Sequence, residues 1–183
     1  MSWFNLRIVA RLAAVMALAA LTAGCFQPMY AERSDGTPGL REKLMGVEVP
    51  PVDKPNASRE ARVQVEIRNA LKFKLYGNAT GMPPTHKLVL NFGAGRSSLI
   101  LDPATALPSS ENYGIDASYN LIDLATNKSV MHGSTFARVS YDIPGQEQRF
   151  ARIRGLRDAE SRATKQIAEN ISQRLASFFV AGT

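Results

Sequence analysis

The side chains that most often carry catalysis are scarce in this sequence. It has two histidines, His86 and His132, and one cysteine, Cys25. Metal sites of the Cys/His type need several such ligands, and no spacing of acidic residues pairs either histidine with a carboxylate for acid and base chemistry. Ser97 and Ser98 lack the glycine pattern that exposes a nucleophilic serine. The sequence therefore predicts a protein that is not an enzyme and that holds no metal or cofactor.

The segment 93–98 reads "GAGRSS" and invites comparison with a phosphate-binding loop. Such a loop ends in Lys followed by Ser or Thr and opens a helix, and this segment does neither. Two glycines one residue apart in an alternating strand are more typical of a bulge, or of close approach by another backbone. We interpret the segment as part of a strand.

Basic side chains are the remaining candidates for binding. Arginine suits phosphate because its guanidinium can donate two hydrogen bonds to one oxyanion. Arg96, Lys128 and Arg138 fall on predicted strands or their hairpin, and we predict that they contact phosphate or another acidic group of a ligand. The arginines of the last helix are interpreted mainly as its solvated face: Arg149, Arg152, Arg154 and Arg157. The net charge of +6 is not concentrated in one tract, which argues against nucleic acid and favours phosphorylated lipid or an acidic protein surface.

The first 24 residues have the form of a secretory signal peptide. They contain Arg7 and Arg11, no acidic residue, and an apolar run from Leu12 to Ala23. The run has about a dozen residues, whereas a helix needs about 20 to cross a bilayer. Segment 1–24 is therefore predicted to be removed on export rather than kept as a membrane span.

The residues that end this leader, Leu21-Thr22-Ala23-Gly24-Cys25, resemble a bacterial lipobox. The resemblance implies that a diacylglyceryl group is attached to the Cys25 sulfur before the peptide is cut in front of it. A conventional cut after Ala23 or Gly24 is the alternative and would leave a free thiol. The lipidated form is favoured because Cys25 has no disulfide partner within the chain. Phe26 stands where Asp would resemble an inner-membrane retention signal, which implies the periplasmic face of the outer membrane.

The mature chain is predicted to begin with a tether and to continue as one domain. Residues 25–43 form the predicted lipidated tether, because residues 27–40 contain two prolines, two glycines and few branched apolar residues. Residues 44–183 form the predicted domain. It opens with a short strand, Leu44 to Val49, that ends at Pro50-Pro51 because proline cannot donate to a sheet ladder.

Two helical patterns frame this domain. The first helix is predicted to be capped by Asn56 or Ser58 and to continue to about Tyr76, where Gly77-Asn78 ends it. The last helix is predicted over residues 147–179, with an apolar residue at every third or fourth position. Gly155 leaves a break or bend near that point as an alternative.

Between the helices the apolar residues recur at every second position, which indicates strands with one face on a core. The alternation covers residues 87–92, 113–121 and 130–141, and Thr126-Asn127-Lys128 is predicted as a hairpin turn because Asn tolerates positive φ. The order is β-α-β-β-β-α. It predicts an α+β two-layer sandwich in which two helices pack on one face of a mainly antiparallel four-stranded sheet. The other face of the sheet is predicted to be polar and free.

Both ends of the mature chain resemble one family. Cys25-Phe26-Gln27-Pro28-Met29-Tyr30 and the closing helix "FARIRGLRDAESRATKQIAENISQRLASFF" are similar to the lipopolysaccharide-assembly lipoproteins LptE, in their alphaproteobacterial form. The resemblance implies a protein that assists the folding of the outer-membrane β-barrel LptD, plugs its lumen and binds lipopolysaccharide. Arg96, Lys128 and Arg138 are then the candidate lipopolysaccharide-binding residues, chosen for their chemistry and not from a family motif. An auxiliary lipoprotein of a phospholipid-transport system is the main alternative. An envelope hydrolase is a third, for which the sequence offers no site.

Overall fold

The fold is known from a computed structural model. It describes residues 37–49, 51–79, 82–101, 108–143 and 148–181, together with Ala13 and Met16. The predicted signal peptide as a whole, the lipidation site at Cys25 and most of the predicted tether lie outside the described residues. The compact unit begins at Leu40, four residues before the predicted start of the domain. Within the described ranges, no helix is long and apolar enough to span a bilayer.

Seven elements follow one another along this unit. They are helix α1 (Leu40–Met45), strand β1 (Val47–Glu48), helix α2 (Arg59–Tyr76), strands β2 (His86–Leu101), β3 (Pro108–Asp123) and β4 (Lys128–Asp142), and helix α3 (Arg149–Ala181). The predicted order of strands and long helices is confirmed, with one helix added at the start. The ends of both long helices fall within two residues of their predicted positions.

The first predicted strand is wrong over its first half, because residues 40–45 form helix α1 instead. Leu40 and Leu44 are one helical turn apart and both are buried, so a helix places the two leucines on the core together. The strand is limited to Val47 and Glu48. Local propensity agrees with this packing, because Leu, Arg, Glu, Lys and Met are all strong helix formers.

The sheet has the order β1-β2-β3-β4. Strand β1 runs parallel to β2 through the pairs Val47 with His86 and Glu48 with Lys87. The two other pairings, β2 with β3 and β3 with β4, are antiparallel and extend along almost the whole strands. Asn127 has the positive φ of 54° expected of the predicted hairpin turn. The sheet is thus mixed, with antiparallel pairing predominant.

The core lies between one face of the sheet and the helices. Helix α2 contributes Val63, Ile67, Leu71 and Leu75, α3 contributes Ala163, Ile167, Ile171 and Leu175, and β3 contributes the odd-numbered residues from Tyr113 to Leu121. Ser58 caps α2 by accepting a hydrogen bond from the Ala61 amide at 3.0 Å, as one of the two predicted caps. Helix α3 runs unbroken through Gly155. These stripes match the predicted helical and strand periods.

A polar cluster lies at the border of this core, where the start of α2 packs against the first half of α3. The carboxylate of Glu160 is 1% exposed and lies 2.6 Å from Arg62 and 3.5 Å from Arg59. The Tyr113 hydroxyl is also buried and, among the described residues, has no hydrogen-bond partner. Burial, with the nearby Glu160 carboxylate, raises the pKa of Tyr113 to about 12.

Removal of this hydroxyl should stabilise the protein. We expect Tyr113→Phe to raise the free energy of unfolding by about 1 kcal/mol, because a buried hydroxyl without a partner carries an uncompensated desolvation cost. Tyr141→Phe is the matched comparison, since the Tyr141 hydroxyl donates to Glu111. It should lower the free energy by about 1 kcal/mol. Urea unfolding of the three proteins measures both effects, and equal losses in the two variants would contradict this assignment.

The raised pKa of Tyr113 also predicts an alkaline sensitivity. A tyrosine in the unfolded chain ionises near pH 10, so a folded pKa of about 12 means that the native state favours the neutral phenol. The difference between the two pKa values contributes about 2 to 3 kcal/mol to the free energy of unfolding. This stabilisation is complete below about pH 10 and is lost as the pH rises through about 12. Between these pH values, wild type should therefore lose more stability than Tyr113→Phe in parallel urea titrations. Indistinguishable pH profiles of stability for wild type and Tyr113→Phe would contradict the raised pKa of Tyr113.

Candidate functional site

The face of the sheet away from the helices, which we call the outer face, carries small and polar side chains. The pairing register groups them into rows across β2, β3 and β4. From the hairpin end onward these rows are Val89-Asn120-His132, Asn91-Ser118-Ser134, Gly93-Asp116-Phe136, Gly95-Gly114-Arg138 and Ser97-Asn112-Ser140. Strand alternation produces this face, because the residues between them point to the opposite face of the sheet, which carries the core.

Two shallow depressions meet at the middle of the outer face. Both are lined by Asn91, Ser118 and Ser134; one extends toward His132 and the other toward Phe136. The short side chains of the central row form their common floor. Phe136 is 65% exposed and is the large apolar side chain at the edge of this polar surface. The surface suits broad contact with another polar surface better than enclosure of a small molecule.

Arg138 is held in place on the outer face. Its guanidinium donates to both oxygens of Asp116, at 2.7 and 2.9 Å, and to the carbonyls of Ile115 and Ala137, at 3.1 and 3.0 Å. The side chain lies across Gly114, where an added Cβ would come within 3.0 Å of it. Glycine at this position therefore makes room for the arginine. The charge of Arg138 is paired with the Asp116 carboxylate.

Arg96 lies near the same end of the sheet but on the opposite face. It pairs across the strands with Tyr113, a core residue, at a point where β2 extends beyond the core. Its Nη1 is 3.8 Å from Oε2 of Glu111, and Nη2 of Arg152, from α3, is 3.7 Å from the other oxygen of that carboxylate. Tyr141 donates its hydroxyl to Glu111. Burial, followed by this hydrogen bond, raises the pKa of Tyr141.

Lys128 lies at the other end of the sheet, next to the β3–β4 hairpin. It is exposed and pairs across the strands with Asp123. The Asp123 carboxylate accepts hydrogen bonds from the Ala125 amide and the Thr126 hydroxyl, both at 2.9 Å, and these bonds lower its pKa. The structure thus does not bring the three predicted basic residues together. Arg96 and Arg138 occupy opposite faces, and Lys128 is at the far end from both.

The contact of Arg152 with Glu111 was not predicted from the sequence. Arg152 was interpreted as part of the solvated face of the last helix, whereas it points toward the end of the sheet. The sequence gives little indication of this contact, because the first six residues of α3 contain three arginines and the pattern does not distinguish Arg152 from the other two. Within the described ranges there is no group of His, Cys, Asp and Glu residues suited to a metal ion.

Comparison with known families decides where this chain belongs. The family model described as "LptE: Lipopolysaccharide-assembly" matches residues 44–175, which is well over half of the chain. The chain belongs to the LptE family. It is therefore grouped with lipopolysaccharide-assembly lipoproteins, a family without enzymatic activity. No curated protein sequence matches it.

Solved structures of lipoproteins share this LptE fold. A lipoprotein from Caulobacter crescentus is 21% identical, with a TM-score of 0.63, and the match covers 80% of this chain and 98% of the other. The rare lipoprotein B from Shewanella oneidensis is 17% identical, with a TM-score of 0.54 and coverage of 74% and 96%. A minor lipoprotein from Acinetobacter baumannii is 11% identical, with a TM-score of 0.51 and coverage of 72% and 88%. At these identities the likeness shows the fold.

Proposed function

We propose that this LptE family member is an outer-membrane lipoprotein that assists assembly of an LptD-like β-barrel, plugs its lumen and binds lipopolysaccharide on its way to the cell surface. The observation that supports the proposal best is the uncovered polar outer face. A protein that stays inside a water-filled barrel needs polar surface toward the lumen wall, which is itself polar. The outer face provides such a surface on the face of the sheet that the helices leave free.

The dimensions of the sheet fit the same role. Strands β2, β3 and β4 have 15 or 16 residues each, which corresponds to about 50 Å at about 3.3 Å per residue. The apolar band of an outer-membrane barrel is about 25 Å tall. A sheet of this length can therefore extend through the lumen and still project into the periplasm, where the tether begins.

For lipopolysaccharide we propose contacts by Arg96, Lys128 and Arg138. The three side chains differ in how far their positive charge is already paired within the protein. Arg138 is already paired with Asp116, so its guanidinium contributes mainly shape and fixed donors. Lys128 is exposed at the hairpin, and no ion pair involves it among the described residues. Arg96 is half exposed beside Glu111.

Anchoring is proposed to depend on the lipid attached to Cys25. One acyl chain gives only marginal membrane binding, whereas several chains on one cysteine, palmitate among them, hold a protein firmly. We expect Cys25→Ser to abolish incorporation of labelled palmitate, because serine has no sulfur to acylate. Gly24→Ala, which keeps a small residue before the cysteine, is the control and should incorporate the label as the wild-type protein does. Labelling of Cys25→Ser at the wild-type level would contradict lipidation at this site.

Co-purification tests the proposed function as a whole. The C-terminally tagged chain is extracted from outer membranes in mild detergent, and the proteins and lipids bound to it are identified by mass spectrometry. The proposal predicts a stoichiometric large β-barrel together with lipopolysaccharide. An inner-membrane transport complex would instead favour a phospholipid-transport auxiliary, and an unaccompanied protein would contradict the barrel role.

A further inference from the structure

Strand β4 forms one edge of the sheet and, among the described residues, pairs only with β3. The Ile143 amide donates to the Ser109 carbonyl at 2.9 Å, and this bond continues the β3–β4 register. In an antiparallel pair, opposite residues alternate between those that exchange both backbone hydrogen bonds and those that exchange none. The odd-numbered residues of β4 beyond Val130 therefore bond to β3. The even-numbered ones direct their N–H and C=O groups toward the free edge.

Both ends of this free edge are protected, and its middle is open. At one end the register skips Val130, and a bulge of this kind twists an edge strand away from further pairing. At the other end Arg162 of α3 donates to the Ser140 carbonyl at 3.3 Å. We call residues 132–138, which lie between these two points, the open edge. Their exposed, even-numbered members are His132, Ser134, Phe136 and Arg138.

The backbone groups of the open edge are without partners in the part of the chain that the structure describes. Donors and acceptors that alternate at the spacing of a strand are complementary to one kind of surface, the backbone of a second extended segment. Each even-numbered residue would exchange two hydrogen bonds with such a segment. The open edge contains no proline and no lysine, the residues that commonly protect an edge strand. It also borders the outer face, so an added segment would widen that face by one strand.

A second copy of this chain is poorly suited to the open edge. Helix α3 packs over β4, where Asn170 donates to the Thr135 hydroxyl at 3.0 Å and Arg162 reaches the free edge. Two paired β4 strands would lie about 4.8 Å apart, whereas the axes of packed helices need about 8 to 10 Å. The two α3 helices would therefore collide. The suitable occupant is a segment that carries no helical layer on this side of the sheet.

The side chains beside the open edge determine which composition such a segment needs. Phe136 is 65% exposed on the outer face and would pack against an apolar side chain across the strands. On the other face the segment would run beside Arg162 and Asn170 of α3, which favour polar or acidic side chains. Because side chains alternate along a strand, apolar and polar residues must alternate in the occupant.

We propose that the open edge binds an extended segment of a partner polypeptide by strand addition. The apolar side chains of the segment lie on the outer face, and its polar side chains lie beside α3. This contact goes beyond the proposed function, because neither plugging of a barrel nor binding of lipopolysaccharide requires backbone pairing at β4.

Residue-resolved hydrogen exchange on the full chain in mild detergent tests the proposal. The probe is a nine-residue peptide in which valine or phenylalanine alternates with threonine or glutamate. The amides of His132, Ser134 and Phe136 should exchange rapidly in the free protein and at least tenfold more slowly with saturating peptide. The amides of Gly133 and Thr135 bond to β3 and should exchange slowly in both states. Slow exchange of the even-numbered amides in the free protein, or no saturable effect of the peptide, would overturn the proposal.

Two methylated peptides test the orientation of the segment on the wild-type protein. The peptide residues that bond to the open edge lie opposite the even-numbered residues of β4 and share the outer face with them. Methylation of the valine and phenylalanine amide nitrogens should therefore weaken binding at least tenfold. Methylation of the threonine and glutamate amides should weaken it less than threefold. Equal losses for the two peptides would overturn the proposed pairing.

Ser134→Pro tests the same contact from the side of the protein. It removes one outward N–H, and proline is tolerated in an edge strand where that N–H faces solvent. We expect at least tenfold weaker peptide binding, with slow exchange at Thr135 as evidence that the β3–β4 pairing remains. Ser134→Ala keeps the N–H and is the matched control, with a change of less than twofold. Equal binding by the two variants would overturn the proposal.

Sedimentation of the free chain examines the other occupant. A dimer that Ser134→Pro dissociates and Ser134→Ala does not would assign the open edge to a second copy and overturn the proposal. These assays contain no barrel, so their failure in a chain that co-purifies with its barrel would refute the open edge alone. A chain that passes them without a barrel partner would refute the barrel role alone.

Discussion

Ser118→Arg is expected to abolish co-purification of the β-barrel partner while leaving the domain folded. Ser118 lies on the central strand β3, is exposed, and lines both depressions of the outer face. An arginine there would stand above the short side chains of Asn91 and Ser134 and would keep a flat partner surface away from the sheet. Because the position is exposed, the free energy of unfolding should change by less than about 0.5 kcal/mol.

The control for this substitution is Gln166→Arg. Gln166 is exposed on α3, in the helical layer on the other side of the sheet, and the change introduces the same side chain. Affinity purification from cells that express each variant, with the barrel quantified against the tagged protein, gives the result. Recovery of the barrel with Ser118→Arg at the wild-type level would show that the outer face is not the docking surface. Equal losses in both variants would show that the effect has no relation to this face.

Arg62→Ala should destabilise the domain strongly, although Arg62 is a surface residue. The substitution leaves the carboxylate of Glu160, which is 1% exposed, with Arg59 at 3.5 Å as its remaining ion-pair partner among the described residues. Removal of one partner of a buried pair typically costs about 3 to 5 kcal/mol, because the other charge stays buried. Arg62 is itself partly exposed, so we expect about 3 kcal/mol in urea unfolding.

Two comparisons identify the buried charge as the cause. Lys74→Ala breaks the Lys74–Glu169 pair, which joins the same two helices but is about half exposed on both sides, and should cost less than about 1 kcal/mol. The double variant Arg62→Ala/Glu160→Leu removes the stranded charge and should recover more than about 1 kcal/mol. A loss in Lys74→Ala as large as that in Arg62→Ala, or a double variant less stable than either single one, would contradict this explanation.

The elements with long periodic patterns could be predicted from the sequence. Val63, Ile67 and Leu71 follow the helical period, and the odd-numbered residues of β3 follow the strand period, so the main layers and the free outer face could be inferred. Helix α1 could not be predicted in this way, because six residues with two leucines are too few to distinguish a helical period from that of a strand. Its conformation depends on the core against which Leu40 and Leu44 pack.

The basic residues show a different limit of sequence reasoning. The alternation of β2 already places Arg96 on the same face as Leu88 and Leu90, but the sequence does not say where the helical layer ends above that face. The approach of Arg96 and Arg152 to Glu111 also depends on the register between β2 and β3 and on the position at which α3 starts. These are long-range properties of the fold, and no local pattern specifies them.

The most direct test of the barrel role is photocrosslinking from the outer face in living cells. A photoreactive phenylalanine analogue is placed at Ser118 in one strain and at Gln166 in another, and the adducts formed on illumination are identified by mass spectrometry. The proposed role predicts that position 118 gives an adduct with a large outer-membrane β-barrel at several times the yield of position 166. Absence of a barrel adduct at position 118, or a stronger one from position 166, would contradict the claim that the outer face binds the partner.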